Sequence, residues 1–308
     1  MFAFAVPSWI QGLYYIDLGV AGAFILFGIV VFLIRNFLPK IGAVAWVTAK
    51  EALFQPLFLI LTLIGIFALF IFLLIPYNTL GEDIKLVMTQ GLTVVKLIAA
   101  FLAVWTAATT ISDEIEGKTA LMALSKPLSR RGFIIGKYLG VMIAVTLIFL
   151  ILGAFFLNTI SYKTVYDARE SSKDVPTAIE CAIAVYNILP GLALAYLETI
   201  VLAAVAIAIS TRLPLLPNLS ITLAVYLLGN LIPEIVQSSV GQIAMVGFAA
   251  ELISAVLPCL GHFNMETAIA MGKSLPPIYV VWAAAYALLY CLAALVVSLL
   301  LFEDRDVA

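Results

Sequence analysis

The chain predicts an all-α, polytopic membrane protein, and three observations lead there. Of its 308 residues, 64% are apolar and 11% charged. Sixteen basic and 18 acidic residues cannot give a globule of this size a polar exterior. The apolar residues run in long unbroken stretches rather than in alternation, and the mean hydropathy is +1.17. That pattern is not the two-residue period of a barrel. It leaves helices, which satisfy every backbone group within one segment.

A helical span needs about 20 apolar residues. Seven runs qualify: 18–34, 57–75, 94–111, 138–157, 188–209, 219–235 and 278–302. Segment 241–260 is nearly as apolar but is interrupted by Glu251 and closed by Pro258. It is expected to form an outer re-entrant helical hairpin before the last span. The first run reads as a retained span rather than a signal peptide, because its first basic residue, Arg35, follows the apolar stretch. Segment 41–55 reads as a short helix along the membrane, stopped by Pro56. Its amphipathic signal is weak, since Trp46, Val47 and Phe54 do not share a face with Ile41 and Val44. Pro190, Pro214, Pro217 and Pro233 are expected at helix ends or kinks.

Loop charge sets the expected orientation. One side collects ten bases: Arg35, Lys40, Lys50, Lys118, Lys126, Arg130, Arg131, Lys137, Arg212 and Arg305. The other collects five: Lys85, Lys163, Arg169, Lys173 and Lys273. The richer side is expected to be cytoplasmic, with the N-terminus outside and the C-terminus inside, in a prokaryotic inner membrane. Trp9, Tyr14 and Tyr15 suit an outer aromatic belt.

Composition also narrows the chemistry. A net charge of −2 gives no footprint for nucleic acid. A single histidine, His262, removes HExxH chemistry and any multi-histidine metal site. Cys181, Cys259 and Cys291 lack metal-binding spacing. Cys181 and Cys259 both fall on the outer side, where a bridge is permitted, and their pairing stays open.

Segment 112–137 is the most informative stretch. It holds three acids and five bases between two apolar runs. Gly117 allows a turn, Thr119 can cap a short helix, and Leu121, Met122 and Leu124 give it an apolar side. Pro127 ends that helix, and Ser129 can cap the next span. The Gly117-Lys118-Thr119 run is not a phosphate loop. The required glycine four residues before the pair is Ser112 here, and Asp113, Glu114 and Glu116 would repel a nucleotide.

Glu114, Glu116-Gly117-x-Thr119, Leu124, Pro127-x-Ser129-Arg130 and Gly136-Lys137 resemble the coupling-loop signature of ABC transporter permeases of the type-2 exporter family. The nearest flavour is that of permeases associated with multicopper-enzyme maturation, such as that for nitrous oxide reductase. The helix before Pro56 resembles that family's elbow helix, and 241–260 its outer re-entrant helices. The likeness covers residues 41–308, as an exporter-type transmembrane domain. Residues 1–40 add a span to a six-helix core. The usual acid after the Thr-Leu pair is missing, with Ala120-Leu121-Met122 in its place.

The resemblance implies a permease subunit with no catalytic residues, metal or cofactor of its own. It implies a separate ABC ATPase, holding ATP and Mg, that docks on Glu114, Glu116, Gly117, Thr119, Leu121, Met122, Leu124, Pro127, Arg130 and Lys137. It also implies a homodimer or close heterodimer of permeases in membrane lipid.

Glu198 is the other sharp residue. An ionised acid in mid-span costs about 3 kcal/mol on insertion scales, so it should face the interior, be protonated or find a partner. It is expected to line the transport route or the dimer seam, or else to be a protonated acid bonded to a neighbour. Lys96 and Glu234 lie towards the outer ends of their spans and could pair or snorkel. The competing functions are an ion- or proton-coupled secondary transporter using Glu198, a membrane-embedded enzyme, and a membrane assembly factor without transport.

Overall fold

The computed structural model describes residues 8–75, 83–116, 129–170, 172, 174–237, 244–272 and 275–303. Among the described residues every regular element is helical: α1 (Ser8–Phe37), α2 (Pro39–Phe54), α3 (Pro56–Leu74), α4 (Asp83–Glu116), α5 (Arg130–Glu170), α6 (Ala178–Ser210), α7 (Leu215–Gln237), α8 (Ala244–Val256), a 3₁₀ turn (Leu260–Phe263), α9 (Glu266–Ala270) and α10 (Pro277–Glu303). Seven of these helices are long and apolar enough to cross a membrane, the seven expected. α4, α5 and α6 form the buried centre, while α1 and α3 are peripheral.

Local chemistry sets the helix limits. Pro39 and Pro56 open α2 and α3 at positions where the missing N–H has no helical partner to lose. Ser129 caps α5 as expected, its Oγ accepting the Gly132 N–H at 3.1 Å. α6 opens on a reciprocal capping box between Thr177 and Glu180. Pro190 and Pro233 sit inside α6 and α7 rather than at their ends. We call the end where α4 closes and α5 opens the base, and the other end the top.

The helix at 41–55 exists as α2, but its buried face is not bulky. It consists of Gly42, Ala45, Thr48, Ala49 and Ala52, while Trp46, Val47 and Phe54 are exposed. This explains the weak amphipathic signal. The partner surface is a glycine stripe on α5: Gly132, Gly136 and Gly140. A Cβ on Gly136 would lie 2.8 Å from Val44 Cβ, and one on Gly140 would lie 2.5 Å from Thr48 Cβ and 2.7 Å from the Ala45 carbonyl oxygen. Two backbones thus meet closely through small residues, as in small-xxx-small pairing in membranes.

Segment 241–260 also folds as a return. α8 has 13 residues, about 20 Å of helix, which is short of a bilayer's hydrocarbon core of about 30 Å. Three tyrosines on α10 show its path. Tyr290 donates to the Val256 carbonyl at 3.0 Å, Tyr286 accepts the Cys259 N–H at 2.9 Å, and Tyr279 donates to the His262 carbonyl at 2.7 Å. The chain therefore reaches the level of Tyr290 and climbs back to that of Tyr279, near the top. The hydroxyls satisfy backbone groups that irregular chain would otherwise leave bare in an apolar setting.

Candidate functional site

The expected docking segment is only framed by the described residues. α4 runs to Glu116 and so includes Glu114 in its last turn; the side chains of both, and Gly117, Thr119, Leu121, Met122, Leu124 and Pro127, lie outside the described residues. Arg130 is exposed in the first turn of α5. Lys137 is not on the surface. It is 2% exposed, with its Nζ 5.6 Å from the Phe133 ring centroid. Helical spacing explains this, since Phe133 and Lys137 are four residues apart and share the inward face of α5.

The polar site that the fold assembles centres on Glu198. α6 presents this carboxylate to α4 and α7, and it is fully buried. Its Oε1 accepts from Asn230 Nδ2 at 3.1 Å. Its Oε2 has no hydrogen bond among the described residues, but faces Lys96 Nζ at 3.7 Å. Lys96 Nζ also lies 3.6 Å from Glu266 Oε1, which Thr93 Oγ1 meets at 2.9 Å. One cation is thus shared by two carboxylates from different elements, with α4, α6, α7 and α9 each contributing a side chain.

Lys96 therefore pairs with Glu198 and Glu266 rather than with Glu234, which is exposed on α7. Glu266 is the member that sequence reading missed. It lies on the five-residue helix α9 just after the return hairpin, and its side chain keeps 34% exposure while that of Glu198 has none. The cluster grades from a sealed carboxylate to a partly open one across a single ammonium group. In an apolar surround these charges interact more strongly than in water, and an unmatched one is costly. Chemically, the arrangement can exchange ion-pair partners or hold a small ion or proton between its carboxylates.

A second buried pair lies near the top. Lys163 Nζ on α5 is 3.6 Å from Asp83 Oδ2 at the start of α4 and 4.6 Å from the Tyr166 ring centroid. It ties the far end of α5 to α4. All three cysteines are free thiols, so Cys181 and Cys259 are not bridged.

Fold and site together define the chain as an all-α, polytopic integral membrane protein with an intramembrane charge cluster. The chain matches no family model, and no curated protein matches it.

Proposed function

We propose that the chain is the transmembrane permease subunit of an ATP-driven exporter, moving its substrate as a separate ATPase binds and hydrolyses ATP. The observation that supports this reading is the pair of long helices flanking segment 117–128. α4 has 34 residues and α5 has 41, about 50 and 60 Å of unbroken helix. Both exceed a bilayer's hydrocarbon core of about 30 Å. Displacement of the short connection would move both rods, and α4 carries Lys96. α2 grips the base of α5 through the glycine stripe, so it would move with them. In this reading the coupling segment docks the ATPase through Leu121, Met122 and Leu124, and two permease copies enclose the route.

The test is purification from the native membrane. The wild-type chain should carry an ATP-hydrolysing subunit with it. Leu121→Asp with Leu124→Asp should lose that activity while keeping a monodisperse, helical permease, because two charges would be desolvated without partners at the interface. Full ATPase recovery with the double variant would reject docking at this segment.

The charge cluster favours a second reading, an ion- or proton-coupled transporter using Glu198. Transport by the purified chain in liposomes lacking ATP and any second protein would select it.

A further inference from the structure

A cavity lies away from the charge cluster, where α1 crosses α5 and α6. It holds about 720 Å³, within the range of roughly 300–1,000 Å³ typical of small-molecule sites. Small residues line it from all three helices, Gly19 and Ala23 from α1, Gly153 from α5 and Ala193 from α6. A Cβ placed on Gly19 or Gly153 would meet nothing within 4 Å, so both glycines face open space. The outer rim is apolar and exposed, with Ile179, Ile183 and Tyr186 outermost.

The polar atoms define what fits. At the deep end, Thr146 Oγ1 donates to the Met142 carbonyl at 2.6 Å and lies 2.5 Å from Tyr196 Oη. Thr146 has a single hydroxyl proton, given to Met142, so Tyr196 donates to Thr146 and both hydroxyl protons are satisfied. Beside the other end, next to the lining residues Ile16 and Leu157, Asn158 Nδ2 lies 3.5 Å from the exposed Asp17 carboxylate. Between these ends the walls are hydrocarbon, and an occupant needs no hydrogen bonds there. Thr146 and Leu157 mark the depth along α5, about 17 Å at 1.5 Å per residue. One leaflet's share of a hydrocarbon core of about 30 Å is similar. All three helices are membrane spans, so the groove opens to hydrocarbon rather than to water.

We propose that this groove binds one acyl chain of a phospholipid with an ammonium headgroup, drawn from the leaflet at the Asp17 end. Length and lining select the chain. The exposed Asp17 carboxylate, one residue from the lining Ile16, favours a cationic group over an anionic one. The site is separate from the charge cluster and does not depend on the ATPase.

The test uses the full chain in nanodiscs of phosphatidylethanolamine and phosphatidylglycerol in equal parts. In one sample the ethanolamine lipid carries a diazirine near the end of one acyl chain; in the other the glycerol lipid carries it. After illumination, peptide mapping should place adducts on 146–157 of α5 and 182–196 of α6, with more from the ethanolamine probe. Gly153→Leu should lower groove adducts about tenfold by filling the space the chain occupies. Gly28→Leu should leave them unchanged, since Gly28 also faces open space but lies outside the groove. Asp17→Asn should abolish the preference between probes and keep the adducts. If Gly153→Leu fails to fold, Gly19→Leu fills the groove from the opposite wall. Adducts spread over exposed faces such as Leu26 and Trp282, undiminished groove adducts in both Gly153→Leu and Gly19→Leu, or a second copy crosslinked into the groove would each overturn the proposal. Equal labelling by the two probes in wild type would overturn the headgroup assignment.

Discussion

Glu198 and Lys96 are not equivalent members of their pair, and substitutions should show it. Removing Lys96 leaves Glu198 and Glu266 without their shared cation, whereas removing the charge on Glu198 leaves Lys96 still paired with Glu266. Lys96→Leu is therefore expected to destabilise by about 3–5 kcal/mol, the usual cost of breaking a buried pair from one side. Glu198→Gln keeps an oxygen for Asn230 and should cost much less. Combining the two should recover part of the loss. Chemical unfolding in detergent measures this, and equal stability of the two single variants would show that the cation is not shared as described. For transport, Glu198→Gln is expected to be partly active and Glu198→Leu inactive. Full transport by well-folded Glu198→Leu would leave Glu198 a purely structural role.

At the scale of elements, the α2–α5 seam gives a graded series. A Cβ on Gly140 meets Thr48 and the Ala45 carbonyl oxygen inside 3 Å, and backbone cannot move aside as a side chain can. A Cβ on Gly132 would come no closer than 3.2 Å to anything, and that contact is the Ser129 hydroxyl. Gly140→Ala is expected to cost about 1–3 kcal/mol and to loosen α2 from α5, and Gly132→Ala much less. Cysteine crosslinking between α2 and α5, with thermal unfolding, distinguishes them; equal behaviour would mean the helices can separate freely. The stripe is a glycine every fourth residue from 132 to 140, and the sequence reading missed it because it carries no hydropathy signal. For the same reason α2 showed a weak amphipathic pattern: its buried face is small, not apolar and large.

Across the whole molecule, the spans were legible because hydrocarbon length imposes long apolar runs. Their limits were not, since helical hydrogen bonding continues past the apolar stretch. The expected 138–157 became Arg130–Glu170. The partners of Lys96 were illegible for another reason. Helices apolar on all sides have no periodicity to say which neighbours they face, and Lys96 meets a residue 102 positions away in one direction of packing that only the fold supplies. The return after α7 was legible from Glu251 and Pro258, and it decides the side on which α10 begins.

That return gives the final prediction. In a cysteine-free background, Glu51→Cys at the base and Val175→Cys at the top should label from opposite sides of the membrane, both residues being exposed. From the surplus of Lys and Arg, the Glu51 side is expected to label from the cytoplasm. His262→Cys should label from the same side as Val175, because the chain climbs back to Tyr279 after Val256. Labelling of His262→Cys from the Glu51 side would mean that α8 crosses the membrane. α10 would then begin on the opposite side, and the tyrosine ladder between α10 and the hairpin could not form.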